Sequence, residues 1–172
     1  MDVVAHVLWA TAAAAAARCR FRTPIHLGWT AAAAALPDLV PFAGPAVIRV
    51  SRLLTGAASS LLPDGSGPRF DWVWGVYNAT HSAVLFGAVF ALVWFLRKRP
   101  PLEMLGWALH IATDIFTHTG IFAVRFLWPW SPARFDGIRW ETPWLLAANY
   151  AALGAAWLWL WWAGRVRGRA SC

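Results

Sequence analysis

The stretch LEMLGWALHIATDIFTHTGIFAV, residues 102–124, has the length and apolar character of a membrane-spanning helix. Within it, His110, Asp114 and His118 follow one another at four-residue spacing, which places them along one face of an α-helix. An ionisable group inside a membrane costs at least about 2.5 kcal/mol and is usually functional. The stretch therefore predicts both a helical membrane protein and a buried site.

The composition of the whole chain agrees with this interpretation. Of its 172 residues, 59% are hydrophobic and 13% are charged, against about 25% charged in soluble domains. At roughly 20 apolar residues per crossing, the chain has room for about four to six helices in one domain covering residues 1–172. The net charge of +7 does not indicate nucleic-acid binding, because Lys and Arg cluster at the ends of apolar runs.

The apolar runs predict an all-α, polytopic bundle with five transmembrane spans. The spans cover about residues 2–17, 24–42, 72–96, 102–124 and 143–164. Pro37, Pro41 and Pro45 should end or bend the second span. Residues 45–71 begin with amphipathic VIRVSRLL and continue as a loop rich in Gly, Pro and Asp, which predicts a short amphipathic segment at the membrane surface.

The distribution of positive charge predicts the orientation. With five spans, nine of the 15 Lys and Arg residues fall on one side of the membrane and six on the other. The nine lie in short loops and a tail directly against helix ends, where the positive-inside rule is strongest. We therefore expect the N-terminus outside and the C-terminus in the cytoplasm.

Few ionisable side chains lie within the apolar runs, and they suggest a metal site. They are His6, Asp38, His81, His110, Asp114 and His118. No Lys or Arg accompanies the two carboxylates in those spans, so a bound cation best compensates their charge. Histidine and aspartate are accepted ligands of zinc and similar divalent ions. The rise of about 1.5 Å per helical residue puts these groups at overlapping depths toward the outer leaflet.

Two arrangements of the site remain open. His110 and His118 are about 12 Å apart along a helix axis, which is too far for both to bind one ion. Either Asp114 bridges two metals at roughly 3.5–4 Å separation, or one metal is bound and His118 serves as acid, base or substrate contact. His26, about 18 Å along the axis from Asp38, is predicted to be interfacial and outside the site.

Five segments together resemble a known family. They are MDVVAHVLWA, AAALPDL, NATHSAVLFG, ALHIATDIFTHTG and FLWPWSPARF. Their order and content resemble the YdjM-type membrane-bound metal-dependent hydrolases, bacterial inner-membrane proteins under LexA control, with a more distant similarity to zinc-dependent phospholipase C. The resemblance implies metal ligands at His6, Asp38, His81, His110 and Asp114, with His118 as a further matching position. The chain departs from the common HRGxTHS element, because it has VYNATHS there.

The predicted function is hydrolysis of an ester or phosphoester by water that one or two zinc or manganese ions activate. A lipid headgroup is one candidate substrate. Asp114 and His118 are the predicted catalytic residues. Thr80 and Ser82, which flank His81, are candidates for orienting it, and helix-packing hydroxyls are an equal alternative. Arg125 and Arg134 are candidate contacts to an anionic headgroup, unless they only mark helix ends. Membrane lipids are the expected partners.

Two other classes of function fit the same residues. A metal transporter or sensor would need polar groups leading to both sides of the membrane, and here the inner half offers little beyond His26. A non-catalytic scaffold with a structural metal would have a closed coordination shell. The one-sided distribution of polar groups favours the enzyme.

Overall fold

The computed structural model describes residues 1–57 and 71–166, and all regular structure in that part of the chain is helical. The α-helices are α1 (Val3–Phe21), α2 (Leu27–Leu54), α3 (Trp72–Thr80), α4 (Ala83–Arg97), α5 (Leu105–Thr117) and α6 (Pro143–Val166), with 3-10 turns at Leu102–Met104 and Gly120–Phe122. The predicted all-α class is confirmed. Most of the predicted surface loop, together with Arg167 and Arg169, lies outside the described residues.

The centre of the bundle is formed by α1, α2 and α5, which pack against one another, while α6 packs on α1 and α4 packs on α5 and α3. The alanine-rich face of α1 buries Ala5, Ala10 and Ala12, and these small side chains allow neighbouring helices to approach closely. Met1 and Leu153 close one end of the bundle against Ala5.

Helix α2 corrects the predicted end of the second span, because it runs through all three prolines to Leu54 and includes the amphipathic residues. Pro41 has no N–H, so the carbonyl of Pro37 lacks its helical donor. The Thr80 hydroxyl donates to that carbonyl at 2.9 Å. The hydroxyl of Thr80 on α3 thus supplies the hydrogen bond to the Pro37 carbonyl that Pro41 cannot make.

The predicted third span is divided at His81, with a bend of 60° between α3 and α4. The Ser82 hydroxyl accepts the N–H of Leu85 at 3.1 Å and so caps α4. The indole of Trp107 donates to the carbonyl of Thr80 at 2.6 Å, which satisfies a group freed by the break. His81 therefore lies at a junction of two helices.

The predicted fourth span also ends early, because α5 stops at Thr117 and His118 is extended (φ −123°, ψ 149°). Residues 136–141, called the strap here, run past the end of α5. Their N–H groups donate to the last carbonyls of α5 and its cap: Gly137 to His118, Ile138 to Phe116 and Trp140 to Thr117. A Cβ on Gly137 would lie 2.2 Å from the Phe116 oxygen, so this close approach requires glycine.

Length and apolar composition single out two possible spans in the described part of the chain. Helix α2 meets both criteria by itself, and α3 and α4 meet them when they are counted as one bent span. The five predicted spans thus correspond to helices in the structure, and their crossing of a membrane stays a prediction.

Candidate metal centre

Four parts of the fold bring the predicted site residues together. His6 comes from α1, Asp38 from α2 and His81 from the α3–α4 junction, while α5 supplies His110 and Asp114. One ligand atom from each of Asp38, His81, His110 and Asp114 lies within 4.8 Å of the others, so this buried cluster could hold a metal ion. The cluster contains four of the five predicted metal ligands, whereas His6 is not part of it and contacts Asp114 Oδ1.

The hydrogen bonds of His81 and His110 determine which ring nitrogen faces the cluster. Nδ1 of His110 lies 2.7 Å from the Ala34 carbonyl oxygen, and Nδ1 of His81 lies 3.0 Å from that of Tyr77. Because a carbonyl can only accept, each Nδ1 carries the hydrogen. Nε2 of each neutral ring is then an unprotonated lone pair, which is the form that binds a metal.

The two lone pairs point at each other and at carboxylate oxygens. The Nε2 atoms of His81 and His110 are 3.1 Å apart, and Oδ2 of Asp114 lies 3.5 Å and 3.1 Å from them. Oδ1 of Asp38 lies 3.5 Å and 3.7 Å from the same nitrogens. Ligands bound tetrahedrally at about 2.0–2.2 Å stand about 3.3–3.6 Å apart. The five separations, from 3.1 to 3.7 Å, bracket this range, so the four atoms could hold one divalent ion, and Asp114 Oδ2 makes no hydrogen bond that would compete.

The other carboxylate oxygen of Asp114 faces a second group of nitrogen atoms. Oδ1 lies 2.9 Å from Nε2 of His6 and 3.2 Å from Nδ1 of His118, and it also contacts the amino group of Met1. The Thr113 hydroxyl donates to backbone carbonyls of its own helix, so it accepts from Nδ1 of His6 at 3.3 Å. Asp114 thus lies between the four-residue cluster and a second group formed by His6, His118 and the Met1 amino group.

Thr80 and Ser82, the two residues predicted to orient His81, have different contacts. Thr80 lies behind His81, with its hydroxyl 3.1 Å from Nδ1. The Ser82 hydroxyl donates to the Trp128 carbonyl at 2.5 Å and accepts the N–H of Leu85 at the start of α4, so its hydrogen bonds go to backbone groups. Thr80 remains the candidate hydroxyl for that role.

A cavity of about 750 Å³ adjoins the cluster. Asp38 and His118, which are 14% and 11% exposed, are the members of the site that line it, whereas His81, His110 and Asp114 are fully enclosed. The predicted contacts Arg125 and Arg134 are not among its described lining residues, and Arg139 of the strap is. The cluster therefore has one open side, between Asp38 and His118.

The arginine at the cavity rim has a partner. Nε of Arg139 donates to Oε1 of Glu141 at 2.8 Å. The N–H of Glu141 itself, followed by the Arg139 guanidinium, holds the pKa of the Glu141 carboxyl below its ordinary value. Glu141 is thus ionised at neutral pH and cancels the charge of Arg139.

Two functional groups were missed by the sequence analysis. The ring of Tyr77 stacks on His81 with centroids 3.9 Å apart, and its hydroxyl donates to the Phe122 carbonyl at 2.8 Å. Its position four residues before His81 is a helical neighbour spacing that could have identified it. The Ala34 carbonyl, which orients His110, gives no signal in the sequence, because any residue carries a carbonyl.

Comparisons of the chain with models of protein families, with curated proteins and with solved structures found no match. The fold and the site define the class of protein no further than an all-helical chain with a buried His/Asp cluster able to hold a metal ion.

Proposed function

We propose that the protein is a membrane-embedded hydrolase that uses a divalent metal ion, held by Asp38, His81, His110 and Asp114, to cleave an ester or phosphoester. The observation that carries the proposal is the convergence of two histidine lone pairs and two carboxylate oxygens at tetrahedral spacing, beside a cavity. Four protein ligands fill a tetrahedral shell, and catalytic zinc sites can expand to five ligands when a reactant binds. The open side between Asp38 and His118 is where water or substrate would enter as the fifth ligand.

Exposed apolar surface supports placing the five helical spans in a membrane. Helix α4 buries none of its 15 residues, and its Phe95 and Leu96 side chains are each 67% exposed. On α6, Leu158 and Trp162 are also exposed. Contiguous apolar surfaces of this kind are rare on soluble proteins. We place the protein in a bacterial inner membrane, as a YdjM-type hydrolase, with an outside N-terminus and the site toward the outer leaflet.

The ligand set favours zinc, with manganese as the alternative, because imidazole and carboxylate suit both and zinc prefers the four-ligand arrangement. A divalent ion bound there would lower the pKa of a coordinated water toward about 7. His118 lines the cavity and is held by Asp114 Oδ1, so it is positioned to accept or donate a proton at the scissile group. Tyr77 and the Ala34 carbonyl keep the two histidine rings oriented.

Metal content is the first test, on wild type purified in detergent beside His110→Ala and His26→Asn. His26 caps α2 by accepting the N–H of Trp29, and asparagine preserves that cap, so His26→Asn is a matched control outside the site. We expect one or two zinc ions per chain in wild type and in the control, with a loss of at least one in His110→Ala. An apo protein after zinc and manganese reconstitution would refute the metal centre.

Catalysis needs a separate test on a metal-loaded variant. We expect His118→Gln to retain its metal and to lose about 10²–10⁴-fold in hydrolysis of an ester or phosphoester that the wild type cleaves. If wild type binds metal and cleaves none of a screened panel of lipid and soluble esters, the site is structural or belongs to a transporter.

A further inference from the structure

The cavity beside the metal centre has one long apolar wall. Leu39, Phe42, Ala43 and Ala46 of α2 form it. Ile121, Phe122 and Trp140 also line the cavity, and the Phe122 ring lies 6.4 Å from that of Phe42 between centroids. At about 750 Å³, the cavity is within the range of small-molecule sites, roughly 300–1,000 Å³. Its volume and apolar lining suit a flexible apolar chain whose polar end reaches Asp38 and His118.

The charges around this cavity do not favour an anion. Arg139 is the only Lys or Arg among its described lining residues, and it is paired with Glu141. Two further carboxylates, those of Asp2 and Asp38, also line the cavity. The Asp2 carboxylate accepts the N–H of Ala5 and the hydroxyl of Tyr150, both neutral donors that leave its charge in place. Among the described lining residues, the Met1 amino group is held on Asp114 and Arg139 on Glu141, so they offer no unpaired cation to a phosphate or carboxylate.

The floor of the cavity leads to the same conclusion. A divalent ion between Asp38 and Asp114, with two neutral histidines, the Met1 amino group on Asp114 and the nearby Asp2 carboxylate, would leave this end of the cavity with no net positive charge. An acidic headgroup would then meet the Asp2 carboxylate and no net positive charge. Selection against a ligand by unfavourable charge is an ordinary source of specificity.

We propose that the cavity binds the apolar chain of an amphiphile whose polar end carries no net negative charge, and that such amphiphilic esters are the substrate class of the enzyme. Binding of the amphiphile is argued from the cavity alone. Its role as a substrate rests on the proposed hydrolase function. It replaces the expectation that arginines on this side attract an anionic headgroup.

The binding test compares two probes of equal chain length. One is an alkyl glycerol ether, which is uncharged, and the other is the same ether with a terminal phosphonate, which is anionic; neither contains an ester bond. Bound probe is counted by native mass spectrometry on zinc-loaded protein in detergent. We expect the uncharged ether to bind wild type at least about tenfold more tightly than the phosphonate, as charge selection predicts.

Two variants localise the binding. Ala43→Trp fills the apolar wall and should weaken binding of the uncharged ether at least about tenfold, whereas Ala91→Trp, on an exposed position of α4, should leave it unchanged. Glu141→Gln leaves Arg139 without its carboxylate partner. That variant should reduce the preference for the uncharged ether at least about threefold, because the phosphonate gains a cation.

The outcomes separate this inference from the proposed function. Equal or tighter binding of the phosphonate by wild type, or undiminished binding by Ala43→Trp, overturns the inference even if zinc is bound and esters are cleaved. If the ether preference and the Ala43→Trp effect are found in a protein that binds no metal, the cavity assignment stands and the hydrolase proposal falls.

Discussion

The spacing of α2 and α5 is the feature on which the metal centre depends most directly, and Gly106 sets it. A Cβ on Gly106 would lie 2.6 Å from the Thr30 carbonyl oxygen and 3.3 Å from the Ala34 nitrogen. Both are backbone atoms, so they cannot rotate away. His110 stands one helical turn after Gly106, and its Nδ1 bonds to the carbonyl of Ala34. The close contact of Gly106 with α2 therefore lies beside the hydrogen bond that orients His110 as a metal ligand.

Gly106→Ala is expected to separate the two helices locally. The new Cβ must retreat by about 0.8 Å to reach ordinary contact near 3.4 Å. Overpacking of this kind costs about 1–3 kcal/mol, and the better helix propensity of alanine offsets about 1 kcal/mol of it. Displacing the partner of a metal-binding histidine usually lowers metal affinity about 10–100-fold. We expect a loss of up to about 2 kcal/mol in stability and a zinc Kd raised 10–100-fold.

The measurement is a competition titration with a fluorescent zinc chelator in detergent, beside thermal unfolding of the apo protein. Gly87→Ala is the matched control, because Gly87 lies inside α4 and an added Cβ there meets nothing within 4 Å. That control should gain up to about 1 kcal/mol and bind zinc as wild type does. Wild-type zinc affinity in Gly106→Ala would show that helix spacing does not govern the site.

Three further predictions follow from contacts around the cluster. Thr80→Val should lower the free energy of unfolding by about 1–3 kcal/mol, because it leaves the Pro37 carbonyl without a donor, and Thr80→Ser should restore the stability. Denaturant unfolding measures both variants, and wild-type stability of Thr80→Val would contradict the prediction. Gly137→Ala should keep its metal and hydrolyse substrate up to about 100-fold more slowly, because the strap no longer holds the backbone of His118. An unchanged hydrolysis rate would mean that the strap has no role in catalysis. Zinc at about 1,000 times its Kd should stabilise wild type by about 4 kcal/mol and should not stabilise His110→Ala to this extent. Melting curves with and without chelator measure the difference, and equal stabilisation of the two proteins would argue against this site.

The helical fold and the members of the cluster were predictable because they depend on patterns that the chain itself carries. Long apolar runs specify helices, and His110 and Asp114 share a face because of their four-residue spacing. The carboxylates Asp38 and Asp114, with no Lys or Arg in their spans, indicated a cationic partner, and the structure places the Met1 amino group on Asp114. These predictions required only composition and helical geometry.

The helix breaks and the helix end were not predictable from the same patterns, because partners distant in sequence decide them. Helix α2 continues through Pro37 and Pro41 because Thr80 supplies a donor from another helix. Helix α5 ends at Thr117 because the strap occupies its last carbonyls, which takes His118 off the helical face. Local propensity contains no information about such contacts.

The enclosure of the cluster also determines how an ion can enter or leave it. Among the described members of the site, only Asp38 and His118 border the cavity, so exchange of the ion follows the same route as a ligand. An amphiphile held against α2 would then block that route and slow exchange in both directions. A long-chain detergent used for extraction would act in the same way, so metal exchange in detergent reaches equilibrium slowly. Reconstitution and titration with metal therefore need incubation until the bound metal no longer changes.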